Sequence, residues 1–139
     1  MKVRDVIDNE LVIVAPDEAL SVVCRQLEAR RVGSALVVED GSLVGILTER
    51  DVVRAVAEGA NPEKAQAADY MSRMLTTIGA DETMEEAARI MTSQRIRHLP
   101  VVDGAQIDGV LSIRDIVQGI VQGTSPDEGR HLPQLVDLV

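Results

Sequence analysis

Apolar residues along the chain follow two patterns, and these two patterns alternate in the same order in each half of the sequence. A short apolar stretch, Leu11–Val14 or Leu75–Ile78, is typical of a buried strand. After each stretch, apolar residues recur at i, i+3, i+4 and i+7, the spacing of one helix face. They are Leu20, Val23, Cys24 and Leu27 in the first half, and Met84, Ala87, Ala88 and Met91 in the second. Each half is therefore predicted to begin with a strand and a helix that packs by one face.

Two further strands and a second helix follow in each half. The strands flank Asp40-Gly41 or Asp103-Gly104, a dipeptide typical of tight hairpin turns. Because this dipeptide comes one position earlier in the second half, the two hairpins are expected to differ slightly. The second helices are predicted over about 48–57 and about 112–121. Asp17 and Asp81 precede the first helix of each half and are predicted to be its N-caps.

The two halves are copies of one unit that align in a single register without gaps. The segment Gly45–Val53 (GILTERDVV) falls on Gly109–Val117 (GVLSIRDIV), and the same register aligns the other shared positions. One copy of about 60 residues buries too little surface to be comfortably stable alone. The sequence therefore predicts an α/β (α+β) fold of tandem βαββα motifs packed about a pseudo-twofold axis. We place the first motif at 1–60, a linker at 61–66, the second motif at 67–123 and a tail without counterpart at 124–139.

Composition narrows the function classes. The formal net charge of −9 argues against nucleic acid or an anionic membrane as partner, since both reward a basic surface. Tyr70 is the only aromatic residue, so a bound ring would have to pack on aliphatic side chains. The single cysteine, Cys24, lies on an apolar helix face and is expected to be inert packing. With no apolar run long enough for a membrane span and no signal-peptide pattern, a cytoplasmic location is expected.

Both copies resemble the CBS domain, named after the regulatory motif of cystathionine β-synthase. The resemblance covers about residues 1–122. It is carried by a Gly-apolar-apolar-Thr/Ser-x-x-Asp segment in each copy and by the strand Arg97–Val102. It implies a stand-alone CBS pair, called a Bateman module, that binds AMP, ADP, ATP, NAD or S-adenosylmethionine in clefts between the two motifs. It also implies a homodimer, no required cofactor and no metal. Regulation would then act in trans on an unidentified protein client.

The resemblance assigns ligand contacts to Thr48 and Asp51, and to Ser112 and Asp115. The hydroxyl residues are predicted at helix N-termini, where free N–H groups and the helix dipole favour anions such as phosphate. A carboxylate only accepts hydrogen bonds, and this suits the two hydroxyls of a ribose. The alternative is that Ser/Thr-x-x-Asp is a capping box that merely starts a helix. The two roles are compatible in one residue.

A basic cluster, Arg95, Arg97 and His98, precedes Pro100 in the strand that lines the cleft in the family. The resemblance implies that the backbone of this strand contacts adenine and that its basic side chains reach phosphates. The alternative is that Arg97 or His98 pairs with surface carboxylates. The first copy has Gly33 and Ser34 at the positions of Arg97 and His98. These small residues would allow close approach of a ligand without the basic charge, so we expect one better site and one weak or empty one.

The first strand of each copy is expected to supply aliphatic surface for an adenine ring. The predicted residues are Val12, Val14, Thr76 and Ile78. The alternative for at least half of them is a plain core role.

Two other functions compete with the sensor. Enzymatic activity is disfavoured because two histidines and one cysteine assemble no convincing nucleophile–base or metal set. A ligand-free protein-interaction or dimerisation scaffold remains the main alternative. A scaffold predicts that changing Asp51 or Asp115 leaves behaviour unaltered apart from a modest loss of helix capping, whereas a sensor predicts unequal losses of binding.

Overall fold

The computed structural model describes residues 1–7 and 10–122 of a mixed α/β chain, which divides into two compact units. One unit is formed by residues 10–75. The other is formed by residues 1–7 together with residues 76–122. The sequence assigned to the tail, 124–139, lies outside the described residues.

The unit of residues 10–75 is built on a three-stranded sheet in the order β1-β2-β3. Strand β1 is parallel to β2, and β2 is antiparallel to β3. Its elements are β1 (Ile13–Val14), α1 (Leu20–Arg30), β2 (Ser34–Glu39), β3 (Ser42–Thr48), α2 (Glu49–Ala57) and α3 (Ala67–Tyr70). The apolar face of α1 packs on the sheet as its spacing predicts, with Leu20, Val23 and Leu27 in the core.

The other unit repeats this arrangement with a two-stranded hairpin. Its elements are a 3₁₀ turn at Val3–Asp5, then α4 (Met84–Gln94), β4 (His98–Asp103), β5 (Gln106–Ser112) and α5 (Ile113–Gln122). A parallel bridge joins Ile78 to Val101. In the register of the repeat, this bridge is the counterpart of the pairing of Val14 with Val37 in the first unit. The expected buried strand is therefore present as a single bridge.

The hairpins agree in register and differ in their turns. The pairing of β4 with β5 reproduces that of β2 with β3 position by position, including the irregularity after Val37 and Val101. Asp40 and Gly41, at the first turn, both have positive φ, 51° and 78°. At the second turn Asp103 is the last strand residue, so Gly104 (φ 59°) takes the first turn position and Ala105 lacks a positive φ. The expected difference is thus one of turn conformation.

The N-cap prediction for Asp17 and Asp81 is wrong. Helix α1 has Ala19 at its N-cap, and α4 has Thr83, whose hydroxyl accepts a hydrogen bond from the Glu86 amide at 3.1 Å. The aspartates lie two positions too early because the chain turns at each of them, and the extended residues directly before the helices, Ala19 and Thr83, bridge another segment. Asp81 instead forms an ion pair with Arg4.

That other segment is the start of the opposite sequence copy. Lys2 bridges Thr83, and at the equivalent positions of the repeat Gln66 bridges Ala19. Two equivalent hydrogen bonds accompany the bridges, from Val3 N–H to Glu82 O at 2.9 Å and from Ala67 N–H to Glu18 O at 2.8 Å. Each compact unit therefore contains the opening segment of one copy and the body of the other. The compact units are not the sequence motifs, whose boundaries remain a prediction.

We expect Val3→Ala to destabilise the protein by about 1–3 kcal/mol, because Val3 is fully buried in the core built mainly by residues 76–122. Urea unfolding followed by circular dichroism measures the change. Val121→Ala is the matched control, since Val121 is 62% exposed and its loss should cost less than about 0.5 kcal/mol. Equal effects of the two substitutions would show that the opening segment contributes no core packing.

Candidate functional site

The first candidate site lies where β3 meets α2. Thr48 ends the strand and is the N-cap of the helix. Its backbone N–H and its hydroxyl both donate to Oδ2 of Asp51, at 2.9 and 3.1 Å. The side chain of Asp51 is 19% exposed, so the carboxylate is held at the first turn and still reaches the surface. The capping role of this pair is confirmed.

The second candidate site repeats this arrangement where β5 meets α5. The Ser112 N–H donates to Oδ2 of Asp115 at 2.8 Å, and the Asp115 N–H donates to the Ser112 hydroxyl at 3.1 Å. These reciprocal bonds form a capping box. An ionised carboxylate offers about four acceptor positions, so capping leaves Asp51 and Asp115 able to accept further hydrogen bonds. Their ligand role stays a prediction.

In residues 10–75, the predicted small residues lie beside the first helix N-terminus. The carbonyl of Gly33 accepts a hydrogen bond from the Glu49 amide at 3.1 Å, and Ser34 pairs with Thr48 across the hairpin. The structure therefore brings four predicted residues together: Gly33, Ser34, Thr48 and Asp51.

The same backbone geometry in the other unit presents different side chains. The Arg97 carbonyl accepts from the Ile113 amide at 2.9 Å, and His98 pairs with Ser112. Arg97 and His98 thus occupy the places of Gly33 and Ser34 beside a helix N-terminus. The predicted chemical difference between the two copies is present at equivalent backbone positions.

Arg95 and Arg97 are exposed, and neither forms an ion pair with another residue in the described ranges 1–7 and 10–122. The alternative that Arg97 is engaged with a surface carboxylate is thus not supported within those ranges. Arg95 also has a backbone role that the sequence pattern did not reveal. It ends α4 in the left-handed region (φ 56°), and its amide donates to the Met91 carbonyl. Arg31 ends α1 in the same way at φ 55°.

His98 is partly buried, and its surroundings disfavour the imidazolium. Burial, and next the positive charge of Arg97, lower the pKa of His98 from 6.5 to about 4. The ring is therefore neutral at pH 7. It can donate one hydrogen bond to a ligand, but the positive charge on this side of the site comes from the arginines.

The residues predicted to pack on adenine are mostly in the cores. Val12, Val14 and Ile78 are buried among apolar side chains, which confirms the alternative core role. The Thr76 hydroxyl donates to Oε1 of Gln94 at 2.5 Å. Pro100 is buried, and its carbonyl accepts from the Ile78 amide at 3.0 Å.

The exposed apolar side chain of β1 is Ile13, which the sequence analysis missed. It is 49% exposed, between two buried valines. Side chains alternate between the two faces of a strand. If Val12 and Val14 are assigned to the core, this alternation predicts that Ile13 lies on the accessible face.

The described residues contain no group of three or more His, Cys, Asp or Glu side chains that could hold a metal ion. In the same ranges, none of the helices has both the length and the apolar content needed to cross a bilayer. Cys24 is a free thiol, and burial raises its pKa.

The family model described as CBS domain matches the chain twice, at residues 3–58 and 67–122. A CBS domain-containing protein from Bacillus subtilis, YhcV, is 29% identical over 115 residues, covering 82% of this chain and 81% of the relative. The CBS-domain containing protein ATU1752 from Agrobacterium tumefaciens has a similar solved structure. It shows 32% identity and a TM-score of 0.79 over 86% of this chain and 98% of the other.

The CBS domain pair of protein MJ0100 has a solved structure in complex with 5′-methylthioadenosine and S-adenosyl-L-methionine. It is 24% identical to this chain, with a TM-score of 0.79 over 89% of this chain and 98% of the other.

This chain spans less than two thirds of the length of several curated relatives. It covers 62% of an uncharacterized protein from Methanopyrus kandleri and 22% of a homoserine O-acetyltransferase from Methanosphaerula palustris. Related sequence therefore also occurs as one part of larger proteins, including an enzyme.

We expect the stability of the protein to fall as the pH is lowered through the range from about 6.5 to about 4. The unfolded chain binds a proton at His98 in this range while the folded chain does not, so the folded state loses up to about 3 kcal/mol. Urea unfolding at several pH values between 7.5 and 4 measures this loss. His98→Gln is the control, since carboxylates contribute equally in both proteins. Parallel stability profiles for the two proteins above pH 5 would contradict the lowered pKa.

Proposed function

The chain belongs to the CBS domain family and carries two copies of its motif, and from this premise we propose that it is a regulatory module that binds an adenosine-containing ligand and acts in trans on a partner protein. The candidate ligands are AMP, ADP, ATP, NAD and S-adenosylmethionine. The observation that carries the proposal is the repeated helix N-terminus with an acceptor carboxylate on its first turn, at Asp51 and at Asp115.

Each part of such a ligand has matching chemistry in the site. The carboxylate of Asp51 or Asp115 accepts from the ribose hydroxyls. The N-termini of α2 and α5, which have nine and ten residues, favour a phosphate through their N–H groups and their dipoles. Exposed Arg97 adds positive charge, and neutral His98 adds one hydrogen-bond donor.

The residues beside Ser112 favour an anionic ligand more strongly than those beside Thr48. Arg97 contributes a planar guanidinium, which pairs well with phosphate. The equivalent Gly33 contributes only backbone. We therefore propose that the Ser112–Asp115 site binds a phosphorylated ligand more tightly and that the Thr48–Asp51 site binds it more weakly or not at all.

Support for the ligand class comes from the fold. The MJ0100 domain pair, which shares this fold, is in complex with two adenosine compounds. Neither 5′-methylthioadenosine nor S-adenosyl-L-methionine bears a phosphate, so the class is broader than nucleotides. Its shared adenosine group is the part to which an acceptor carboxylate would bind.

A ligand-free scaffold is the second candidate, favoured by one observation. Both aspartates already cap a helix through at least one hydrogen bond of 2.9 Å or less. A helix start alone would therefore explain their presence.

An enzyme would convert ATP or NAD on incubation, whereas the module proposed here returns the ligand unchanged. The cytoplasmic location and the protein client also remain predictions.

We propose further that the protein is a homodimer. Helix α2 exposes Val53 and Val56, which are 67% and 60% exposed and lie on one face at a spacing of i, i+3. A second copy presenting the same face would bury these valines in a symmetric contact.

Asp115→Ala and Asp51→Ala are expected to weaken ligand binding unequally, with the larger loss for Asp115→Ala. A thermal-shift screen with AMP, ADP, ATP, NAD, NADH and S-adenosylmethionine, followed by calorimetry, measures this. A ligand at about 100 times its Kd adds roughly 2.7 kcal/mol of stability to the wild-type protein.

Asp5→Ala is the matched control for capping. Asp5 accepts from the Lys2 amide at 2.9 Å in the same manner, but outside either Thr/Ser-x-x-Asp segment. It should lower stability without changing the Kd. No shift with any of the six compounds, or equal and negligible losses from Asp115→Ala and Asp51→Ala, would favour the scaffold.

We expect Val56→Asp to convert the dimer into a monomer. Burying a carboxylate without a partner costs free energy, and a symmetric interface would bury one from each copy. Light scattering coupled to gel filtration at micromolar concentration measures the mass of each variant. Glu58→Ala, at the exposed end of the same helix, is the control and should leave the mass unchanged. A wild-type monomer under these conditions would rule out the proposed dimer.

A further inference from the structure

The guanidinium of Arg54 makes three contacts, and the Thr/Ser-x-x-Asp motif does not require an arginine at this position. Its Nη2 atom lies 3.5 Å from Oδ1 of Asp51, one turn earlier on α2. The same nitrogen donates to the Tyr70 carbonyl at 2.9 Å, at the end of α3. The guanidinium carbon lies 5.7 Å from the centroid of the Tyr70 ring. Arg54 therefore connects Asp51 to the only aromatic residue of the chain.

This contact determines how the two oxygens of Asp51 are used. Oδ2 accepts from the N–H and the hydroxyl of Thr48. Oδ1 faces Arg54. With one oxygen on the N-cap and the other beside a guanidinium, the carboxylate plane is held in one orientation. A carboxylate that is already oriented loses less conformational freedom when a ligand binds to it.

The position of the Arg54 guanidinium is fixed by contacts that a lysine side chain could not make together. A planar fork can approach a carboxylate and donate to a carbonyl while one face lies over an aromatic ring, whereas an ammonium is a point charge. The cation–π contact with the Tyr70 ring adds to this restraint. The Arg54 side chain is 54% exposed, so solvent screens its charge and the benefit lies mainly in orientation.

The second copy repeats the cap without the arginine. The residue equivalent to Arg54 in the register of the repeat is Gln118, an exposed residue of α5 that carries no charge. Since the cap bonds of Ser112 and Asp115 form in that copy, an arginine at this position is not needed to start the helix. Its presence in the first copy calls for another role.

We propose that Arg54 is a positioning residue for the first ligand site: it holds Oδ1 of Asp51, anchors it to Tyr70, and so presets the carboxylate for the ribose. The proposal rests on the proposed function for its ligand and on the contacts above for its geometry. Because α3 opens the second sequence copy, the same contact ties occupancy of Asp51 to the position of residues 67–70.

The first experiment tests the geometry without a ligand. Amide hydrogen exchange measured by NMR on the full chain reports the Thr48 N–H, which donates to Asp51. Arg54→Gln introduces the residue found at the equivalent position of the second copy. It should accelerate exchange at Thr48 by about two- to fivefold, the scale of a partly exposed ion pair. The Ser112 N–H, which makes the matching bond to Asp115, should exchange at its wild-type rate.

Two further variants separate position from charge. Arg50→Gln removes the same charge from an exposed position on the same helix and should leave Thr48 unaffected. Arg54→Lys keeps the charge and loses the fork, so exchange at Thr48 should approach the rate seen with Arg54→Gln. An unchanged rate at Thr48 in Arg54→Gln, or equal acceleration at Thr48 and Ser112, overturns the proposal.

The second experiment tests the ligand role, with AMP as the probe. Calorimetric titration in an Asp115→Ala background reports the site of Asp51, where Arg54→Gln should weaken AMP binding by about two- to fivefold while Arg50→Gln does not. Unchanged affinity despite selective acceleration at Thr48, or no AMP binding at all in the Asp115→Ala background, would overturn the positioning role and leave Arg54 as a structural contact between α2 and α3.

Failure of the proposed function gives a different result. If neither AMP nor the other adenosine compounds binds the wild-type chain, the ligand part of the proposal falls with that function, whatever the exchange rates. The Thr48 and Ser112 rates then still decide whether Arg54 orients Asp51.

Discussion

The exchange of opening segments is the constraint on which the rest of the structure depends. The N-terminus of α1 has no side-chain cap; its first two amides, Leu20 and Ser21, donate to the carbonyls of Ala65 and Pro62 at 2.9 and 3.0 Å. These acceptors come from the chain just before the second copy. In the other unit, Val3 lies in a core built mainly by residues 76–122. The core of residues 10–75 likewise contains Ala67 and Met71, from the start of the second copy, so each core depends on apolar residues of both copies.

This backbone pairing places the first helix, and the hairpin then places the second. Because the hairpin register is the same in both units, Thr48 and Ser112 arrive at the same point of the ladder. Each turns the chain from strand to helix with an aspartate at the third position after it. The capping bond and the proposed ligand contact therefore use the same carboxylate. The capping bond holds this carboxylate in place before any ligand binds. The same side chain is therefore needed for the stability of the helix start and for the proposed ligand contact.

The sequence predicted much of this arrangement. The match of Gly45–Val53 with Gly109–Val117 identified the repeat, the i, i+3, i+4, i+7 spacing identified the buried faces of α1 and α4, and the Thr/Ser-x-x-Asp segments identified the two helix starts. These features are local or self-similar, so periodicity, capping chemistry and internal alignment reveal them. The N-cap prediction for Asp17 failed because backbone carbonyls distant in sequence supply that cap. The contacts of Arg54 could not be predicted from the sequence either. Tyr70 supplies both the carbonyl and the ring that Arg54 contacts, and the fold brings it beside Arg54.

Where strand meets helix, the two copies have the same backbone pairing, so the two candidate sites differ there through their side chains. Arg97 and His98 replace Gly33 and Ser34, which favours phosphate at the second site. Arg54 replaces Gln118, which orients the carboxylate at the first. The second copy thus has an exposed guanidinium where the first has glycine, and the first has a guanidinium beside Asp51 where the second has a glutamine at the equivalent position. A module in which both sites were equivalent would respond to ligand concentration with two equal events. In the module proposed here, unequal sites would allow the tighter site to fill first and the weaker site to fill only at a higher ligand concentration.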